Sequence, residues 1–265
     1  MSNTVSNMAY SITDTVTMLR RTVIHMLRNP VMMLLGTLGT PIILLLMMYN
    51  LFGGVIQSNA LTSSSYINYI TPGMILITVI YSTGMAALRV NSDMTQGVIS
   101  RFKSMSISRS AVLNGHVIGS MLGSLISVTV IFGLAYLMGF RSAANTFGGV
   151  AAIGLIVLYV TATMWLAIAI GVWSKSPEAA NGMLYLLYIL PFFSSAFVPT
   201  QSMTPVVAWI AENQPFTPII DTLRALLMGT PTDNRAFIAV AWCIGFGLVG
   251  FLGARAAYNR STNQQ

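Results

Sequence analysis

The sequence predicts an all-α integral membrane protein with six transmembrane helices. An amphipathic helix precedes the first span, a short cytoplasmic helix follows the second, and an outer re-entrant helical segment precedes the last. Three observations lead there. Charged residues make up only 7% of the 265 residues against 55% hydrophobic, with a mean hydropathy of +0.74, whereas a soluble domain carries about 25% charged residues. Six runs approach the roughly 20 apolar residues that a helix needs to cross a bilayer. The basic residues gather on one side of those runs. Together these exclude a soluble enzyme, a disordered tail and a nucleic-acid binder, because the 13 basic residues are too scattered to track phosphates.

The spans are placed at about 31–52, 70–89, 111–139, 148–173, 179–198 and 236–255. If they alternate, Arg20, Arg21, Arg28, Arg89, Arg101, Lys103, Arg109, Lys175, Arg255 and Arg260 share one face. The other face receives Arg141, Arg224 and Arg235, offset by Glu212, Asp221 and Asp233. That asymmetry predicts cytoplasmic N- and C-termini. The expected organisation is a cytoplasmic N-terminus over 1–30, a six-span domain over 31–255 and a cytoplasmic tail over 256–265.

Residues 11–28 read as a helix lying on the membrane. Ile12, Val16, Leu19, Val23 and Leu27 form one face, while Asp14, Arg20, Arg21 and Arg28 lie off it. Basic residues in its second half suit the helix dipole and anionic lipid. Residues 92–107 form the second such helix, with Met94, Val98, Phe102 and Met105 at helical spacing and Arg101 and Lys103 among the polar positions. An apolar face rich in adaptable Met suits docking to a partner.

Gly115, Gly119 and Gly123, four apart on span three, permit close helix packing. Pro41 and Pro191 interrupt spans one and five. Thr78 and Tyr81 on span two and Asn181, Tyr185, Tyr188, Phe192 and Phe193 on span five offer an amphipathic lining for a solute pathway, with more of them expected to face lipid or neighbouring helices than substrate. The outer segment 199–235 is cut by Pro199, Pro205, Pro215 and Pro218 into pieces too short to span. Its polar residues include Glu212, and Asp221 and Arg224 are three apart, the spacing of an ion pair.

Catalytic chemistry is not indicated. His25 and His116 have no second ligand at metal spacing, and no nucleophile elbow or phosphate-binding loop occurs in the sequence. The six acidic residues all map to span ends or loops, so a buried proton or sodium relay is not predicted either. Energy for uphill transport is expected from another chain.

Gly97-Val-Ile-Ser-Arg101-Phe-Lys103-Ser-Met105-Ser-Ile-Ser108-Arg109 with Val112-Leu-Asn-Gly115 resembles the cytoplasmic motif of the type-2 ABC exporter permeases, particularly the daunorubicin-resistance permease group. Tyr69-Ile-Thr-Pro72-Gly73-Met74 and Phe197-Val-Pro199-Thr-Gln-Ser-Met203 resemble the same family. So do Glu212-Asn-Gln-Pro215-Phe-Thr-Pro218 and Asp221-Thr-Leu-Arg224. The resemblance implies that 11–28 is the elbow helix and 92–107 the coupling helix, with Gly97, Arg101, Phe102 and Lys103 meeting the ATPase. It implies a non-catalytic permease subunit for hydrophobic or amphipathic drugs or lipids in a bacterial cytoplasmic membrane. The implied partners are two copies of a separate ABC ATP-binding subunit, a second permease in a homo- or heterodimer, and membrane lipid. ATP would be bound by the partner, and no cofactor or metal by this chain. A passive channel-like or structural subunit, and an exporter of polysaccharide, are the alternatives.

Overall fold

A computed structural model describes residues 30–57, 63–95, 109–232 and 234–263. Among these residues eight α-helices occur and no strand. They are α1 (Pro30–Gln57), α2 (Ser63–Thr95), α3 (Arg109–Leu137), α4 (Thr146–Trp173), α5 (Pro177–Ile189), α6 (Pro205–Glu212), α7 (Phe216–Met228) and α8 (Arg235–Asn263). Two 3₁₀ turns, Leu190–Phe193 and Thr200–Ser202, lie between α5 and α6.

Five helices, α1, α2, α3, α4 and α8, are long and apolar enough to cross a membrane. The sixth expected span, 179–198, differs. Its helix is the 13-residue α5, continued by the 3₁₀ turn that contains Pro191. Proline has no N–H to donate, and its ring clashes with the carbonyl four residues back. The remaining residues to 198 lie outside any α-helix. By contrast Pro41 and Pro72 sit within the continuous helices α1 and α2. Ser92 and Asp93, expected to begin a separate helix, belong to the last turns of α2, and the stretch expected to be a tail from 256 continues α8 as far as Asn263. The expected elbow helix and the remainder of the expected coupling helix lie outside the described residues.

α2 is the axis of the bundle and packs against α1, α3, α4, α5 and α7. Protein buries 78% of its apolar span Tyr66–Thr95, against 17% of Arg235–Ala257 in α8. Three of its buried threonine hydroxyls are absorbed by the helix itself, since Thr71, Thr78 and Thr83 donate to the carbonyls of Ile67, Met74 and Val79 at 2.6, 2.7 and 2.8 Å. Such back-bonding lets polar side chains sit in an apolar interior without an orphaned donor. On the periphery, exposed Ile126, Ile153, Phe237, Leu248 and Leu252 give α3, α4 and α8 the apolar exterior that lipid requires. Gly119 and Gly123 of the glycine series on α3 are buried.

The shorter helices are delimited by local chemistry. Asn145 caps α4 by accepting from the Gly148 N–H at 2.7 Å. Ser176 caps α5 by accepting from Ala179 N–H, with Pro177 in the first turn where no donor is needed. α7 stops at Gly229, whose φ of +68° is left-handed. The two long partners α4 and α8 pack backbone against backbone at Gly250, where an added Cβ would lie 2.4 Å from the backbone nitrogen of Leu166. Gly250→Ala is therefore expected to cost about 1–3 kcal/mol of stability. Gly154→Ala, at a site with nothing within 4 Å of an added Cβ, should not destabilise; thermal unfolding of the two variants in detergent measures the difference.

Candidate functional site

Two groups of side chains from separated segments converge between α2 and α5 and just beyond the broken end of α5. The first is aromatic. Tyr81 of α2 stacks on Tyr188 of α5 with ring centroids 5.0 Å apart and planes 12° apart. Tyr185 meets Tyr188 edge-on at 6.4 Å. Gly84, one turn along α2 from Tyr81, makes room for this: an added Cβ would stand 1.6 Å from the Tyr188 hydroxyl. The α5 rings continue into the 3₁₀ turn, where Phe192 lies 5.6 Å from Phe197. Tyr185, Phe192 and Phe193 keep 58%, 42% and 42% of their surface open. The face thus offers broad apolar surfaces with phenolic hydroxyls, a chemistry matched to flat amphipathic molecules.

The second group is a polar knot. Asp221 and Arg224 of α7 form the ion pair expected from their spacing, at 2.6 Å. Arg224 also donates from Nε to the Tyr69 carbonyl at 3.1 Å and from Nη2 to the Ser195 carbonyl at 2.6 Å, and its guanidinium lies 3.9 Å from the Tyr69 ring centroid. The Tyr69 hydroxyl donates to the same Ser195 carbonyl at 2.9 Å, and Ser195 Oγ donates to Asp221 Oδ1 at 2.6 Å. Arg235, at the start of α8, pairs with Asp221 Oδ2. Gln214 donates to the Phe193 carbonyl at 2.5 Å. One cluster therefore ties α2, the non-helical stretch after α5, α7 and α8 together. Nearby, the α3–α4 loop joins α7 where Ala143 N–H and Ser142 Oγ both donate to the Leu227 carbonyl, at 3.0 and 2.7 Å.

The sequence-derived site residues divide accordingly. Tyr81, Tyr185 and Tyr188 come together, with Phe192 and Phe193 at the end of the same row. Thr78 is fully buried with its hydroxyl spent on Met74, so it presents no open surface. Asn181 is half-buried in the first turns of α5. Glu212 is exposed at the end of α6, Pro215 immediately precedes α7, and Pro218 is buried in its first turn. Arg20, Arg21, Arg28, Gly97, Arg101, Phe102 and Lys103 lie outside the described residues. Sequence spacing missed Ser195 and Arg235, which join the knot from separate segments. Tyr69 was visible only as part of a motif.

The knot makes a specific demand on stability. Replacing Arg224 by Met leaves the Tyr69 carbonyl and one side of Asp221 without a cation in a partly buried setting, and removing one partner of such a pair costs about 3 kcal/mol or more. Arg224→Met should lower the thermal midpoint more than Arg235→Met, because the Arg235 side chain is 56% exposed and that of Arg224 only 16%.

The sequence model of the ABC-2 type transporter family matches residues 13–228 of the chain. The daunorubicin resistance ABC transporter permease protein DrrB1 of Streptomyces coeruleorubidus is 28% identical over 242 residues, covering 91% of this chain and 83% of its own length. The probable doxorubicin resistance ABC transporter permease protein DrrC of Mycobacterium tuberculosis is 19% identical over 228 residues, covering 86% of this chain and 82% of its own.

Proposed function

The chain belongs to the ABC-2 type transporter family, and we propose that it is the non-catalytic permease subunit of an ATP-driven exporter of hydrophobic or amphipathic drugs. The observation that carries this reading is the family match, which runs from the N-terminal amphipathic segment through α7. The drug-resistance names of the two relatives supply the substrate class, and the tyrosine row between α2 and α5 supports it chemically. In this reading α5 and its 3₁₀ extension complete a sixth crossing. At about 1.5 Å per helical residue and 2.0 Å per 3₁₀ residue, their 17 residues reach nearly the thickness of the hydrocarbon core.

The one-sided basic residues orient the assembly. The Asn91 end of α2 faces the cytoplasm of a bacterial cell, both chain termini lie there, and the polar knot with α6 and α7 closes the outer end. Residues 11–28 serve as the elbow helix. Residues 96–107, following α2, serve as the coupling segment, through which Gly97, Arg101, Phe102 and Lys103 meet a separate ATP-binding subunit. Two such subunits act on two permeases, and this chain needs no cofactor or metal of its own. ATP binding shifts the pair between inward- and outward-open states by stabilising one over the other, and α5 yields at Pro191, where its helical bonding is already interrupted.

Reconstitution with the co-expressed ATP-binding subunit tests the reading. An anthracycline should stimulate ATP hydrolysis, and a complex that ignores such drugs overturns the substrate class. Tyr188→Ala removes one ring of the row proposed to meet the drug, and one aromatic contact to the drug is worth about 0.5–1.5 kcal/mol, so the drug concentration for half-maximal stimulation should rise about three- to tenfold. Combined Arg101→Glu and Lys103→Glu substitutions should reduce the ATP-binding subunit recovered with the tagged permease about tenfold or more; unaltered recovery speaks against 96–107 as the docking segment.

A further inference from the structure

We propose that Asn91 is a positioning residue that clamps the end of α2 to the end of α4, so that the two helices carry motion from the coupling segment as one body. This rests on the reading of residues 96–107 as the segment that meets the ATP-binding subunit. Asn91 lies one turn before Thr95, the last residue of α2, and is fully buried. Its Nδ2 donates to two carbonyls of a different helix end, Gly171 O at 3.1 Å and Ser174 O at 2.6 Å. Its Oδ1 finds no partner among the described residues. Among the described residues the amide is thus oriented by its donors, which are spent on α4.

Those carbonyls are of the kind a helix terminus leaves unpaired. Ser174 is the C-cap of α4, and its own N–H and hydroxyl return to Ile170 O at 3.0 and 2.7 Å. Asn91 therefore does for α4 what a following helical turn would otherwise do. A second contact acts at the same level. An added Cβ on Gly171 would lie 2.5 Å from Ala87 O and 3.0 Å from Val90 Cβ, so backbone meets backbone one turn before the amide. Close packing and a forked hydrogen bond resist both sliding and separation, whereas packing between smooth apolar helices resists separation alone.

The consequence is mechanical. Immediately beyond the clamp, Lys175 and Ser176 form the short turn into α5, whose first turn is capped by Ser176. A displacement received at the end of α2 is passed to the α4–α5 turn at Asn91 and the Gly171 contact, in addition to the direct packing of α2 on α5 at Tyr81 and Tyr188. It then tilts α5, which carries Tyr185 and Tyr188. Without the clamp, α2 is free to slide past α4, and the start of α5 no longer moves together with the Tyr81 face of α2.

Spin labels at Thr95 and Lys175, both exposed, read the clamp directly in the permease co-purified with its ATP-binding subunit in lipid nanodiscs. The unaltered clamp should give one narrow distance distribution, the same without nucleotide and with ATP trapped. Asn91→Leu should broaden it or make it depend on nucleotide, and should reduce the ratio of drug-stimulated to basal ATP hydrolysis about three- to tenfold while basal hydrolysis and recovery of the ATP-binding subunit stay unchanged. Asn91→Gln, which keeps the donors, should restore part of the ratio. A distance that already changes with nucleotide in the parent overturns the clamp. So does an Asn91→Leu complex with an unaltered distribution and ratio, or one whose basal hydrolysis falls in step with the stimulated rate. A parent complex in which drug never stimulates hydrolysis overturns the functional reading itself, and the transmission with it.

Discussion

Backbone that leaves a helix inside a bilayer must be hydrogen-bonded by protein, because lipid offers neither donor nor acceptor. In this chain the stretch after Pro191 leaves the helix while buried among protein, and Arg224 answers the same requirement there. Its planar fork reaches the Ser195 carbonyl, the Tyr69 carbonyl and the Asp221 carboxylate at once, using Nε and both terminal nitrogens. A lysine could reach one or two of these but could not hold them in a fixed plane. Ser195 is satisfied in turn at its carbonyl by Arg224 and Tyr69, at its hydroxyl by Asp221 and at its N–H by Thr217 Oγ1 at 3.4 Å. A helix can be broken here because an arginine two segments away stands in for the missing turn.

The knot also explains why α2 rather than a longer or more apolar helix is central. α2 is held at both ends by polar contacts that cross to other elements: Tyr69 to α7 and the post-α5 stretch at one end, Asn91 to α4 at the other. Between those anchors its contacts are close and mostly apolar, and its threonines bond only to their own helix. Such a helix has little freedom to deform locally. It moves as a rod or not at all, and its neighbours follow at the points where they are tied.

Much of this architecture was legible in the sequence, and the remainder was hidden for identifiable reasons. The long helices announced themselves because uninterrupted apolar length has few other uses. The expected 179–198 span failed as a single helix because hydropathy counts residues, and Leu190, Phe192, Phe193 and Val198 are equally apolar in a helix or beyond its break. The Asp221–Arg224 pair was readable from a three-residue spacing, but Arg235 and Ser195 joined it across segments that no local pattern relates. Thr78 looked like a pathway residue because its position was considered without its rotamer; the hydroxyl turned back to Met74 removes it from the surface. The partnership of Gly84 with Tyr188 was hidden for the opposite reason, since a glycine's use lies in what occupies the space it leaves.

The same contacts bear on where the energy for transport enters. Asp221 is a carboxylate in the partly buried end of the bundle, the type of residue that proton-driven carriers load and unload. Here both of its oxygens are engaged by guanidinium groups and one of them also by a serine hydroxyl. Those contacts join α7 to α8 and to the non-helical stretch that Arg224 and Ser195 hold in place. A carboxylate engaged on both oxygens in this way has a structural duty, joining three segments at one point. In the proposed exporter the driving force comes from the separate ATP-binding subunit, and the tied ends of α2 are where it would be received.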